Sequence, residues 1–346
     1  MVWLPLAMPN PGRQYIFKGA SMRSTILVFC LVLISCGAHA RNCTPQERAD
    51  ANAQLEAIES NEGTRSSILT QHLPFGVHRS TQDQNEHLMY QGGYMLSHDP
   101  ELRTTVWVSY RLDGDDMENA TGQDRVNCFR RDPRLDADDA ATPTDYKEPT
   151  FDQGHMTNDA DLKDDLLEQV NTYVMSNMSP QHCRFNRGIW LSLEHLTRIW
   201  ANNDQYGAIL VTSGAVFDRD DVIGRDADNA ALRMLSNNGK ERVAVPSHYY
   251  KVILRQDEDG WKSIAFLLPH TNTDHGTSWV DVKPDVIDHI VSISEIEELA
   301  SLRLHPALNR SELTETILGS DWDFATGHSN FNSSIKDDNA CVTSVN

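Results

Sequence analysis

Residues 188–202 constrain the fold more than any other stretch. Ile189, Leu193, Leu196 and Trp200 recur at helical spacing, which predicts an amphipathic helix with one buried face. β-type sequence lies on both sides of it. Residues 104–112 alternate Val106, Val108 and Tyr110 against their neighbours, the period of two that a strand requires. Downstream, 208–213, 243–245, 249–254 and 263–268 are β-rich runs separated by turn-like stretches. Strands before and after a central helix predict a mixed α+β fold, with flanking helices packed on a central, antiparallel-rich sheet.

The remaining elements are read around that frame. Residues 44–57 are predicted to be a helix with Pro45 in its first turn, and 292–300 another that begins at a Ser294–Glu297 capping box. Residues 161–169 read as a short helix and 172–175 as a strand, while 60–90 show no clear period. Residues 113–125 read as an acidic loop. Its Asp113-Gly114-Asp115-Asp116 lacks the regular ligand spacing of a calcium loop. The expected organisation is a signal peptide over 1–40, an N-terminal helical and irregular extension over 41–95, a main domain over 96–310 and a tail over 311–346.

The signal peptide is read from Met22 as an alternative start, the charge of Arg23, an apolar run over 26–34 and a small-x-small site at Ala38-His39-Ala40. Leu33-Ile34-Ser35-Cys36 offers the alternative of a lipid anchor on Cys36. Either route exports the protein to the periplasm or the medium. No apolar run reaches the length of about 18 residues that a membrane-spanning helix needs. Beyond the leader, four cysteines in an oxidising compartment suggest two disulfides, expected as Cys128–Cys183 and Cys43–Cys341.

Charge runs against loose binding of a polyanion. The chain has a net charge of −20, and residues 1–40 hold three of the 30 basic side chains and none of the 50 acidic ones. Any basic footprint for nucleic acid must therefore be local, built from Arg125, Arg130, Arg131 and Arg134 with Arg184, Arg187 and Arg198.

Chemistry concentrates between Asp152 and Arg198. Asp152-Gln153-Gly154-His155 is followed by Ser176-Asn177-Met178-Ser179-Pro180-Gln181, then by Asn186, with Glu194 and Arg198 four apart. A lone histidine is commonly a surface or core residue, and a Glu–Arg pair at this spacing is commonly a surface ion pair. Together, however, they supply a base for water, a neutral oxygen ligand and an acid. Mg²⁺ prefers oxygen ligands and keeps most of its waters, so one amide at a helix start can suffice. His270 and His275 lack a third ligand at zinc spacing, and Asn119, Asn309 and Asn332 lie in glycosylation sequons.

The ordered set resembles the DNA/RNA non-specific endonucleases, the sugar-non-specific nucleases of the ββα-metal class. Their pattern is Asp-Arg-Gly-His, then Ser-Asn-x-x-Pro-Gln, then Asn with Glu eight residues later and Arg four beyond. Residues 106–111 and 245–252 extend the likeness, which covers roughly 100–300. The resemblance implies that His155 is the general base, Asn186 the direct ligand of Mg²⁺ (Mn²⁺ being the alternative ion) and Glu194, with Arg198 beside it, the group that orients the ion's waters. Asn177 and Gln181 would support the site. DNA and RNA would both be substrates, cut with little sequence preference to give 5′-phosphorylated ends, and a homodimer is an allowed assembly.

The sequence departs from the pattern at Gln153 and, less consequentially, at Met156-Thr157-Asn158, where apolar-Ala-Pro is commoner after the histidine. Gln153 stands where the family carries arginine, so positive charge near the scissile phosphate is lost; Arg130 and Arg131 are the expected replacements. Two alternatives follow. One is a nucleic-acid-binding or surface interaction protein of the same fold with weakened turnover; the other is a phosphodiesterase for small nucleotides.

Overall fold

The computed structural model describes residues 40–81, 86–120, 123–148, 150–217, 233–316, 321–325 and 341. The expected leader with its start at Met22, the Cys36 anchor and the Asn332 sequon lie outside the described residues. No helix among the described residues is long and apolar enough to cross a membrane.

A central eight-stranded sheet runs in the order Ile290–Val291, Gly260–Pro269, His248–Asp257, Ile209–Val216, Thr104–Leu112, Met95–Asp99 and His87–Tyr90, with Leu313–Thr316 also paired to Gly260–Pro269. Every pairing is antiparallel except that of Leu313–Thr316. Strand His248–Asp257 shows why the sheet is covered on both faces. Alternate residues diverge: Tyr249 and Ile253 enter one apolar core, Tyr250, Val252 and Leu254 the other. The first core takes the predicted helix through Ile189, Leu193, Leu196 and Trp200. The second is closed by helix Glu62–His72 through Ile68 and by helix Ile293–Ala300 through Ile293 and Ile296.

Several expectations are corrected. Residues 41–95 are not set apart from the sheet, because His87–Tyr90 and Met95–Asp99 are two of its strands. The segment beyond 310 is not wholly loose. Leu313–Thr316 is a strand, and the rings of Trp322 and Phe324 lie 4.7 and 5.5 Å from that of Trp200. Residues 243–245 fall in a separate hairpin, Arg233–Asn237 with Lys240–Val245. Residues 172–175 form no strand; Val174 makes a single bridge to Arg130. Asp113 caps a short helix, Gly114–Asn119, and the box of the later helix is Ser292 with Glu295.

The disulfides are Cys43–Cys128 and Cys183–Cys341, not the expected pairs. Local pairing explains the first. Strand Ala40–Asn42 runs parallel to Arg125–Asn127 with Asn42 opposite Asn127, so the next residues, Cys43 and Cys128, fall side by side. With Cys128 bonded to Cys43, Cys183 pairs with Cys341 from the tail.

A histidine network lies on the second face of the sheet. His78 accepts from the amide of His305 at Nδ1 (3.0 Å) and meets the Ser109 hydroxyl at Nε2 (2.9 Å). His72 likewise accepts from the Arg111 amide at 3.1 Å. Burial pushes His72 down to about 4 and His305 to about 3, and holds His78 well below its ordinary value. Folded values below the unfolded one mean that the unfolded chain takes up protons first. The stability they contribute is therefore complete above about pH 6.5 and is lost as pH falls, by up to about 1.4 kcal/mol per pH unit per histidine. Between about pH 6.5 and pH 5 the melting temperature of His78→Gln is expected to fall less, or rise more, than that of the wild type. Parallel calorimetric profiles for the two proteins over that window contradict this.

Candidate active site

The site is built by one hairpin and one helix. Strands Phe151–His155 and Met178–His182 pair antiparallel with His155 opposite Met178 and Asp152 opposite Gln181. The alternation is polar, which hid these strands from hydrophobic periodicity. Gly154 is required here because a Cβ would lie 2.2 Å from Gln181 Oε1. The chain after His155 is held by Asn177. Its Oδ1 accepts from the Thr157 amide (3.0 Å), and its Nδ2 donates to the carbonyls of Thr157 (2.9 Å) and Thr172 (2.8 Å). The helix is pinned to the same strand by Trp190 Nε1, which donates to the His155 carbonyl at 3.2 Å.

The helix itself is continuous from Cys183 to Ala201, with a π turn over Asn186–Trp190 between two α segments. In a regular α-helix, residues eight apart differ by about 800°, roughly 80° beyond two turns. One residue inserted by the π turn reduces this to about 700°, within roughly 20° of alignment. Asn186 and Glu194 consequently face the same cleft.

That cleft, about 260 Å³, is lined by His155, Asn186, Glu194, Arg198 and Gln153, together with Arg125, Lys163, Arg187 and Asp159. Four cationic side chains gather there, three of them paired with acids (Arg125–Asp159, Arg198–Asp161 and Arg187–Asp152), so basic groups are concentrated where the predicted catalytic groups lie. The cations are held in place. Arg125 donates to the Tyr173 hydroxyl (2.8 Å) and pairs with Asp159 (3.2 Å). Arg198 pairs with buried Asp161 at 3.0 Å, and Asp161 also accepts from Tyr110 Oη at 2.7 Å.

Burial sets the proton chemistry. His155 stands edge-on to Tyr173, with ring centroids 4.6 Å apart, and its Nε2 is buried without a hydrogen-bond partner among the described residues. Burial pushes its pKa down to about 4, with Arg125 aiding and Asp159 opposing. It is a neutral base at ordinary pH. Burial raises Glu194 to about 7 despite Arg198 and Lys251, with Asp161 and Asp159 reinforcing the rise. Lys251 lies beneath the helix, 4.7 Å from the Trp190 ring centroid and donating to Ser213 Oγ at 2.7 Å.

The residues present fit a hard divalent cation. Asn186 Nδ2 donates to Asp152 Oδ2 at 2.9 Å, which leaves its carbonyl oxygen on the other side. No group of three His, Cys, Asp or Glu forms a metal cluster among the described residues. An ion that keeps its waters needs none, since one amide oxygen and a nearby carboxylate satisfy it.

The structure brings together His155, Asn186, Glu194, Arg198 and Gln153. It does not bring Arg130 or Arg131. Arg130 is buried on Asn52, Asn171 and the Val170 carbonyl, and Arg131 turns to the Leu135 carbonyl. Asn177 and Gln181 are both buried, but only Asn177 gives the expected hydrogen-bonding support; neither amide atom of Gln181 has a hydrogen-bond partner among the described residues. Arg125 and Arg187, read from the sequence as part of a basic footprint, line the cleft; Lys163 and Asp159 were missed, because nothing in their local sequence marks a shared cleft. His270 is a structural residue whose Nδ1 donates to the Pro246 carbonyl and whose Nε2 accepts from the His182 amide, and His275 pairs with Asp285.

Known proteins are similar to the chain in sequence and in fold. The sequence model of the DNA/RNA non-specific endonuclease family matches residues 74–311. Nuclease C1 of Cunninghamella echinulata var. echinulata is 28% identical over 244 residues, 70% of this chain and 90% of that protein. Human mitochondrial endonuclease G is 28% identical over 183 residues, 52% of this chain and 59% of that protein. The fold is similar to that of a crystal structure of an EndoG/EndoGI complex, with a TM-score of 0.58 at 24% identity, covering 72% of this chain and 95% of that one.

Proposed function

We propose, from the premise that the chain belongs to the DNA/RNA non-specific endonuclease family, that its cleft hydrolyses phosphodiester bonds of both DNA and RNA with Mg²⁺ and leaves 5′-phosphates. The observation that carries this reading is the single cleft shared by His155, Asn186 and Glu194 with four cations around them. Asn186 would hold the ion directly, and Glu194 would orient its waters. When bound, Mg²⁺ supplies Lewis-acid stabilisation of the charge that builds on the phosphate.

The chain's own groups do the rest. Arg125, Arg187 and Lys163 attract the phosphate backbone, which carries no sequence information, and low base preference follows. His155 takes a proton from water as the oxygen attacks phosphorus. The P–O3′ bond breaks, the 3′ oxygen leaves with a proton from solvent, and the phosphate stays on the 5′ end. We place this chemistry outside the cytosol. The leader reading and the two disulfides support export.

Gln153 favours a second reading in which turnover is weakened. Its Nε2 donates to the Pro143 carbonyl at 3.1 Å, so the side chain offers the cleft no charge. A charge-assisted hydrogen bond is worth about 1.5–3 kcal/mol, so Gln153→Arg is expected to raise kcat/KM by about 10-fold or more. Cleavage of plasmid and of RNA, with the ends mapped by phosphate labelling, tests the main reading. Robust cleavage by the wild type excludes the binder, and preference for a dinucleotide over plasmid would instead identify a small-nucleotide phosphodiesterase.

A further inference from the structure

Asp152 lies just behind the cleft and has both oxygens committed. Oδ2 accepts from Asn186 Nδ2 at 2.9 Å and from Arg187 Nε at 2.8 Å, and Oδ1 accepts from Arg187 Nη2 at 2.8 Å. The three residues come from two elements, the strand that ends at His155 and the π turn of the helix. A primary amide has two nearly isosteric orientations, one presenting oxygen and the other NH₂. Only the first can bind a cation. A carboxylate accepts and never donates, so Asp152 selects the orientation in which NH₂ faces the strand and oxygen faces the cleft. Arg187 fixes that carboxylate by a two-pronged contact, the strongest geometry available to such a pair.

We propose that Asp152 is a positioning residue, clamped by Arg187, that sets the amide of Asn186 with its oxygen toward the divalent cation. This rests on the reading of Asn186 as the cation's ligand. It also gives Arg187 a task apart from phosphate attraction, which explains why an arginine in the cleft is tied to an acid. Partners of this kind commonly alter metal affinity by about 10–100-fold.

The test is Mn²⁺ binding without substrate, read from the electron paramagnetic resonance signal of the free ion, with melting temperatures taken alongside. Asp152→Ala is expected to weaken Mn²⁺ binding by about 10-fold or more, and Arg187→Met to weaken it less. In an Asn186→Asp background the ligand is a symmetric carboxylate with no amide to orient. Adding Asp152→Ala there is expected to cause no further weakening, whereas a merely structural role would weaken binding in both backgrounds. Should Asp152→Ala fold poorly, Asp152→Asn and Arg187→Met carry the same comparison. Wild-type affinity in those variants, with Asn186→Ala weakened, overturns the positioning role alone. Wild-type affinity in Asn186→Ala overturns the ligand reading and the positioning role with it.

Discussion

His155→Ala is expected to abolish measurable cleavage of both DNA and RNA, with a loss of about 10²–10⁴-fold. The histidine ends a strand whose register, tight glycine and Trp190 hydrogen bond all fix its position. Its main-chain carbonyl, which Trp190 contacts, survives the substitution, so fold and substrate binding are expected to persist. Burial that pushes the imidazole down to about 4 keeps it neutral well below its ordinary value. Its protonation therefore removes activity only as pH falls toward about 4, and loss of the base is not expected near pH 6.5. Equal loss on both substrates is the diagnostic feature, because one base serves both sugars. An unchanged cleavage rate in the variant would overturn the assignment.

Asn186→Ala is expected to produce the second large loss, about 10³-fold in cleavage at modest Mg²⁺. It removes the oxygen ligand and leaves the Asp152–Arg187 pair with nothing to position. Glu194→Gln is expected to cost less, about 10–100-fold, since the group acts around the ion without being its direct ligand. Burial outweighs the pull of Arg198 and Lys251 on Glu194 and raises it to about 7. Its charged form therefore costs the fold stability, and the neutral glutamine is not expected to lower the melting temperature. Rates measured across Mg²⁺ concentration separate the two variants. A larger loss in Glu194→Gln than in Asn186→Ala would reverse the roles given to them.

The mixed fold and the residues that share the cleft were legible in the sequence for different reasons. The 188–202 helix and the strands at 104–112, 249–254 and 263–268 declare themselves by apolar periodicity, because each buries a face. His155, Asn186, Glu194 and Arg198 stood out through their spacing within a resemblance. The strand Phe151–His155 was silent, since its residues are chosen for chemistry and only Phe151 is an apolar core residue. The π turn was equally silent, although it is what aligns Asn186 with Glu194. Arg125 reaches the cleft through the strand pairing that also makes the Cys43–Cys128 bond, a long-range event that no local pattern encodes. Arg130 and Arg131 were plausible by proximity in sequence, yet Arg130 points into a buried polar cluster on the far side of the same segment.

Charge illustrates the same division. A net of −20 argues against a nucleic-acid enzyme if the surface is treated as uniform. The fold instead gathers Arg125, Lys163, Arg187 and Arg198 at one cleft. At physiological salt, fields are screened over about 8 Å, so this local cluster outweighs distant acidic residues for a phosphate already in the cleft.

The most direct measurement is cleavage of supercoiled plasmid and of single-stranded RNA by the purified wild-type protein, with Mg²⁺ and with excess EDTA. Degradation of both substrates in Mg²⁺, and of neither in EDTA, is the expected result. Cleavage that persists undiminished in EDTA, or no cleavage of either polymer in Mg²⁺ or Mn²⁺, would contradict a metal-assisted, sugar-non-specific endonuclease centred on His155 and Asn186.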